Sequence, residues 1–396
     1  MIPRLLDLTK FRKSLFLFGP RQVGKTYLIK NTVSADIFIN LLKHDEFLRY
    51  LKNPALISQE ITALKKDNPV IVIDEIQRCP ELLNEVHLVM ENIPNTQFIL
   101  TGSSARKLRR AGVNLLGGRA ITLHLYPFTY QELKEDFILD DALRFGEIPS
   151  VALEKNKADK IRLLKSYIET YLKEEIQQES LTRNIPAFAK FLELAGYENG
   201  NILNFQNLSR EVGVHSKTIK EYFHILEDTL IGFFLYPYTK SHRAKIISHP
   251  KFYFFDCGVV SALKGELNSE LKSQTLPYGR AFEHFILLEI IKLCSYSERD
   301  IKLSFFRTKD GAEVDLILEL ENSITWAIEI KSSNEPVLSE VRGLRSFISD
   351  HNYAKAFCIC LTPRKFTKEG IEFIPWGEFM QLLWNDKKSI SQTATN

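Results

Sequence analysis

Eight consecutive residues, Gly19-Pro20-Arg21-Gln22-Val23-Gly24-Lys25-Thr26, hold the spacing G-x-x-x-x-G-K-[ST]. Such a loop wraps phosphates, because its glycines let backbone N–H groups turn inward and the helix that follows presents a positive N-terminus. Lys25 would reach the β- and γ-phosphates of ATP, and the Thr26 hydroxyl would bind Mg2+. The stretch Val70-Ile71-Val72-Ile73-Asp74-Glu75 supplies the matching half. Four apolar residues read as a buried parallel strand, which leaves both carboxylates at its C-terminal end, where such sheets bind ligands. Asp74 is expected to hold Mg2+ through water, and Glu75 to polarise the attacking water. A third apolar run, Phe98 to Thr101, ends in Gly102-Ser103-Ser104. Ser103 could sense the γ-phosphate and help place that water, or it could simply close a turn. Arg119 could donate charge to phosphate in its own subunit or in a neighbour's, or it could be a surface arginine.

A second group of candidates lies toward the C-terminus. Glu283, within Gly279-Arg280-Ala281-Phe282-Glu283, opens an amphipathic helix. Asp315 sits in the strand-like Glu313-Val314-Asp315, and Glu329 and Lys331 in Ala327-Ile328-Glu329-Ile330-Lys331. Residues two apart on a strand share a face, so Glu329 and Lys331 project together, with Ile328 and Ile330 opposite. If the two strands pair, Asp315 can sit beside them. Glu283, Asp315 and Glu329 could then bind Mg2+, and Lys331 could orient or activate a water or stabilise developing charge.

Positioning the first group requires an alternation of strands and helices. Strand-like runs occur at Ser14–Phe18, Ile37–Asn40, Val70–Ile73, Phe98–Thr101 and Ile121–Leu125, with helical patterns between them such as Glu81–Asn92. That pattern predicts a parallel α/β sheet. From about 161 to 229 the chain reads as helical. From about 251 it is mixed again, with strands at FYFFD, LSFFR, VDLILEL, AIEIK and AFCICL. Three units are therefore drawn, at 1–150, 151–250 and 251–396.

Within the middle unit, Asn204 to Ile219 fits a helix, a tight turn at Gly213 and a second helix, with Ser216 as N-cap. Ile219, Phe223, Leu226 and Leu230 would form its buried face, and Lys217, Lys220 and Glu221 would face outward. The window from Thr229 to Phe255 contains no acid and holds Lys240, His242, Arg243, Lys245 and Lys251. A basic β-hairpin wing on a helix-turn-helix would touch the DNA backbone; a lid packed on the first unit, with its charges solvated, is the other reading. Lys107, Arg109 and Arg110 form a smaller basic cluster that reads as a solvated helix face.

Composition bounds the alternatives. The 396 residues carry 52 Lys and Arg against 49 Asp and Glu, a net charge of +3, which argues against a histone-like protein. With 44% hydrophobic and 26% charged residues the chain is of ordinary globular type. Five scattered cysteines without a CxxC suggest neither disulfides nor a cysteine zinc site, and a reducing, cytoplasmic compartment is expected. Cys358 and Cys360, on one apolar strand, read as core, as do Trp326, Trp376 and Trp384. The sequence shows no HExxH, GxSxG or Cys–His arrangement. No signal peptide is evident, and the longest apolar stretch, Leu230 to Tyr236, is too short for a bilayer, so no membrane partner is expected.

The loop GPRQVGKT, then VIVIDEIQRCPEL, FILTGSSARKL and LLGGRAITLHLYPFTYQE, resemble the AAA-type ATPases of bacteria and archaea that carry a C-terminal domain of unknown function. The resemblance continues through FGEIPSV, YIETYLKEEI, KFYFFDCGVV and FRTKDGAEVDLILE…AIEIKSS, in that order. It implies an AAA-type sheet with strand order 5-1-4-3-2. The arrangement of Glu283, Asp315, Glu329 and Lys331 looks like the PD-(D/E)xK core of restriction-endonuclease-like domains, with Val314 where many members have proline. The expected protein is an AAA-type ATPase, with Mg2+ and ATP at Gly19–Thr26, coupled to a winged-helix and nuclease-like module on double-stranded DNA. The alternatives are a nucleotide-regulated, metal-dependent DNase, and a nucleotide-gated DNA- or protein-binding switch with a silent nuclease fold. A homo-oligomer is one setting in which Arg119 would act.

Overall fold

A computed structural model describes residues 2–93, 95–103, 116–172, 184–239, 249–299, 301–308, 311–320, 324–351 and 354–391. Five strands, β1 (Ser14–Phe18), β2 (Ile37–Asn40), β3 (Val70–Asp74), β4 (Gln97–Gly102) and β5 (Ala120–His124), form a parallel sheet in the order β2-β3-β4-β1-β5. This is the expected 5-1-4-3-2 order. Side chains alternate across it into two cores. Phe16, Ile71, Ile73 and Phe98 pack with the helix Leu82–Asn92, while Leu15, Leu17, Val72 and Ile99 pack with the helix Lys25–Thr32. Both faces being covered is why these strands read as unbroken apolar runs.

Eight further strands form a second sheet: β6 (Gly232–Pro237), β7 (Lys251–Phe254), β8 (Lys302–Arg307), β9 (Glu313–Glu319), β10 (Thr325–Lys331), β11 (Lys355–Cys360), β12 (Phe366–Lys368) and β13 (Ile371–Pro375). Their order is β12-β13-β11-β10-β9-β8-β6-β7, so strands on both sides of residue 250 share one sheet. The sequence reading assigns no strand to 366–375, where Phe366–Lys368 is wholly exposed and short. The long helix Leu276–Tyr296 buries Phe282, Phe285, Ile286 and Ile290 against the sheet residues Leu316, Trp326 and Ile328.

Between the sheets, the helices Phe205–Val212 and Ser216–Asp228 are joined by a turn at Gly213, and β6 pairs antiparallel with β7 behind them. The second helix is capped by His215, whose side chain accepts from Lys217 N, rather than by Ser216, which is already helical. Ile219, Phe223 and Leu226 are buried as expected. Leu230 lies beyond the helix end, in left-handed backbone at φ 61°. Lys217 and Lys220 are exposed. Lys240, His242, Arg243 and Lys245 lie outside the described residues, as do Lys107, Arg109, Arg110 and Ser104.

The parts are joined by a buried polar hub. Lys292 Nζ, on the long helix, donates to Phe128 O (2.7 Å), to Glu289 Oε1 (2.9 Å) and to Glu147 Oε2. Glu147 N in turn donates to Asp256 Oδ2 at 2.7 Å. Gly146 is left-handed at φ 71°, and a Cβ there would lie 1.9 Å from Asp256 Oδ1, so the FGE turn can approach Asp256 only with glycine. Burial pushes Glu147 well above the usual carboxylate range, with Glu289 adding to the push.

Beside the hub, His284 Nε2 faces Phe254 O at 2.6 Å and its Nδ1 faces Cys257 Sγ at 3.6 Å. This Cys–His contact is one the sequence does not reveal. Burial lowers His284 to about 4 and raises the Cys257 thiol well above its ordinary range, so the pair is neutral rather than thiolate and imidazolium. A histidine with a depressed pKa stabilises the fold above its ordinary value of 6.5, and that contribution is lost as the pH falls toward 4. The stability advantage of the wild type over His284→Asn should therefore shrink by about 3 kcal/mol between pH 7 and pH 4. Urea unfolding of both proteins across that range checks this. Taking the difference removes the buried carboxyls, whose raised pKa values act in the opposite sense.

Candidate functional site

The phosphate loop follows β1 directly. Gly24 is the N-cap of Lys25–Thr32 with φ 93°, a conformation that glycine adopts without steric cost. The N–H groups of that first helical turn have no intrahelical partner and form a ready anion site. Lys25 is buried, and its Nζ donates to Gly19 O (2.8 Å) and Pro20 O (2.9 Å), so the loop closes around its ammonium. A cleft of about 360 Å³ is lined by Arg21, Gln22, Gly24, Lys25, Thr26 and Glu75, with the half-exposed side chains of Tyr27 and Leu42. Val23 is fully buried beneath it.

Thr26 Oγ1 donates to Asp74 Oδ2 at 2.7 Å, which joins two residues far apart in sequence. Asp74 is fully buried, and its other oxygen accepts from Thr101 Oγ1. Glu75 follows in left-handed backbone, φ 63° and ψ 46°, with its N–H donated to Thr101 Oγ1 at 3.1 Å. A non-glycine residue held this way at the mouth of a cleft is strain of the sort found at functional sites. Gln77 Nε2 donates to Glu75 Oε2 and, at 3.3 Å, to Ser103 Oγ. Gln77 thus ties the expected base to the expected sensor. Its lone sequence signal is its place two residues after Glu75.

Arg4 also goes unnoticed in sequence. It donates to Val23 O (2.9 Å) in the loop, to Tyr126 O (2.6 Å), to Glu132 Oε1 (3.0 Å) and to Tyr296 OH (3.2 Å) on the long helix. One buried guanidinium, with its fork of donors, therefore braces the phosphate loop against the second sheet's helix. Arg119 is not in the cleft. It precedes β5, whose first residue pairs with Ser14, at the end of β1 away from the loop. There it meets Glu91 (3.0 Å) and His87. In this structure Arg119 therefore stands away from its own subunit's Gly19–Thr26 loop.

In the second sheet, β9 and β10 pair antiparallel, and Asp315 Oδ2 accepts from Ile330 N at 2.8 Å. Lys331 Nζ donates to Glu329 Oε1 at 2.6 Å, while Glu329 Oε2 is buried without a hydrogen-bond partner. Glu283 Oε1 accepts from Tyr253 OH at 2.6 Å. Burial first, and then the nearby Asp315 carboxylate, push both Glu283 and Glu329 upward. Glu283, Asp315 and Glu329 are thus brought into one neighbourhood. Yet among the described residues no group of three or more His, Cys, Asp or Glu side chains is arranged to hold a metal ion. The expected ligand set does not fit a metal in this arrangement.

A cation that the sequence reading places elsewhere stands among these acids. Lys251, expected in a solvent-facing basic window, is buried on β7. Its Nζ lies 2.5 Å from Glu313 Oε1 and 3.9 Å from Glu283 Oε1. Every residue of β7 is buried, so a lysine there survives only beside carboxylates.

Comparison with known proteins finds three matched stretches. Residues 11–134 match a family described as AAA domain. This supports an AAA-type ATPase. Residues 136–270 match Domain of unknown function (DUF8612) and residues 278–379 match Domain of unknown function (DUF4143). An uncharacterized protein of Methanocaldococcus jannaschii is 23% identical over 363 residues, covering 84% of this chain and 78% of its own. An uncharacterized protein of Haemophilus influenzae is 20% identical over 352 residues, covering 81% of this chain and 84% of its own. Among solved structures, the DNA clamp loader delta protein of Bacillus subtilis aligns at 12% identity with a TM-score of 0.22, over 69% of this chain and 95% of that one. No helix among the described residues is long and apolar enough to cross a membrane.

Proposed function

We propose that this chain binds Mg·ATP at Gly19–Thr26 and hydrolyses it, as a cytoplasmic AAA-type ATPase. The observation that carries the reading is the Thr26–Asp74 hydrogen bond, which unites the two halves of a phosphate and metal site. Lys25 and the backbone N–H groups of the Gly19–Gly24 loop, in which Pro20 has none to give, bind the β- and γ-phosphates. Thr26 and Asp74 would hold Mg2+, which when bound neutralises charge on the phosphates. Glu75 orients the attacking water and accepts its proton, Gln77 holds Glu75 in place, and Ser103, bonded to the same Gln77 amide, senses the γ-phosphate. Arg119 would reach phosphate only in a neighbouring subunit of a homo-oligomer.

Double-stranded DNA is the proposed partner of the middle unit, supported by two helices joined at Gly213, exposed Lys217 and Lys220, and the β6–β7 hairpin behind them. The last unit is read as a nuclease-like core built on Glu283, Asp315, Glu329 and Lys331. The buried Lys251 among its acids favours the silent version of that core over an active DNase. ATP turnover measured with and without duplex DNA, at two salt concentrations, tests the coupling. Stimulation by DNA that weakens as salt rises is expected. Turnover indifferent to DNA would remove the DNA arm and leave the ATPase.

A further inference from the structure

We propose that Lys251 is the resident cation of the C-terminal acidic cluster, occupying the electrostatic position a divalent metal would need, and that the β6–β7 hairpin thereby keeps that site closed to metal. The cluster holds four carboxylates, Glu283, Glu313, Asp315 and Glu329, against two ammonium groups, Lys251 and Lys331. The half-exposed Arg307 stands 4.0 Å from Glu313 at its edge. Glu283, Asp315 and Glu313 all act on Lys251, so it faces the acids of both the long helix and β9. Its ammonium also lies 5.3 Å from the centre of the ring of Phe305, a buried residue.

A divalent ion drawn to the same carboxylates would stand within a few ångströms of this buried positive charge, where screening by water is weak. The acids are already engaged. Glu283 Oε1 takes the Tyr253 hydroxyl, Asp315 Oδ2 takes Ile330 N, and Glu329 Oε1 takes Lys331. Glu329 Oε2 alone is buried and unpartnered, the acceptor a metal would satisfy first. Entry of metal therefore requires Lys251 to leave. Lys251 pairs with Leu235 and Tyr253 with Phe233 across the hairpin that follows the helix-turn-helix. Any movement of β7 that withdrew Lys251 would withdraw Tyr253 from Glu283 as well. The inference goes beyond the ATPase reading and stands on the acidic cluster alone.

The test is Mn2+ uptake by the full chain without nucleotide, followed by electron paramagnetic resonance. Wild type, Lys251→Met and Lys251→Met with Asp315→Asn are compared, so that any binding at the phosphate loop cancels. Lys251→Met should gain a Mn2+ site at least about tenfold tighter than any Asp315-dependent uptake by wild type. The added Asp315→Asn should abolish it. Wild type that already binds as tightly, in an Asp315-dependent way, overturns the proposal; so does a folded variant with no gain. If Lys251→Met does not fold, Lys251→Gln, which keeps an N–H donor for Glu313, replaces it with the same expected gain. The readout does not pass through ATP turnover, so failure of the ATPase reading would leave this result interpretable.

Discussion

Glu75→Gln is expected to lower ATP turnover by about 10²- to 10³-fold while changing ATP affinity less than about threefold. The substitution preserves size and leaves an amide oxygen to accept from Gln77 Nε2, so the side chain keeps its place. The backbone bond from residue 75 to Thr101 Oγ1 is untouched. What disappears is the negative charge that orients and deprotonates water. Lys25, Thr26 and the loop, the proposed binding groups, are unaltered. Steady-state phosphate release together with equilibrium binding of a fluorescent ATP analogue separates the two quantities. Hydrolysis by Glu75→Gln equal to wild type would sink the assignment of the base.

The second large effect concerns stability. Lys292→Met should cost about 3 to 5 kcal/mol, because it strips the ammonium from Glu147 and Glu289 and leaves Asp256 nearby. All three carboxyls are fully buried, and Glu147 Oε1 has no hydrogen-bond partner even in the intact hub. Methionine fills the volume of the lysine stem, so the loss is electrostatic rather than a cavity. The penalty should ease in acid. Burial raises Glu147 and Asp256; a carboxyl whose folded pKa is raised contributes stability below its ordinary pKa and loses it as the pH rises, and removing Lys292 pushes these two further up. Urea midpoints at pH 7 and pH 5 measure both claims. A midpoint unchanged at pH 7 would show that the hub is already neutral and that Lys292 contributes nothing net. Adding Glu147→Gln to Lys292→Met should recover part of the loss, since it removes one uncompensated charge.

The two effects meet in the architecture. The phosphate loop is braced by Arg4, which also holds Tyr296 at the end of the helix that carries Glu283, Glu289 and Lys292.

The first sheet was legible because its information is local. Each strand of that sheet is a short apolar run covered on both faces, and the phosphate loop is eight contiguous residues whose glycine and lysine positions permit few other conformations. The observed strands differ from the runs by a residue or two at their ends, where hydrogen bonding rather than hydrophobicity sets the limit. Two-residue strand periodicity likewise put Glu329 and Lys331 on one face, and the pairing of β9 with β10 brings Asp315 beside them. Lys251 was misread by the same kind of reasoning. A window without acids looks solvent-facing and basic in sequence, yet its last strand is buried on all its residues, and the compensating acids arrive from 32 and 62 residues further along, at Glu283 and Glu313. Arg4, Gln77 and Lys292 share that character. The partners of Arg4 lie 19 to 292 residues away, and Lys292 meets Glu147 across 145. Sequence alone determined where phosphate chemistry could occur, because contiguous residues carry it. Only the tertiary structure decided which charges neutralise one another, because burial and pairing depend on segments that spacing along the chain does not bring together.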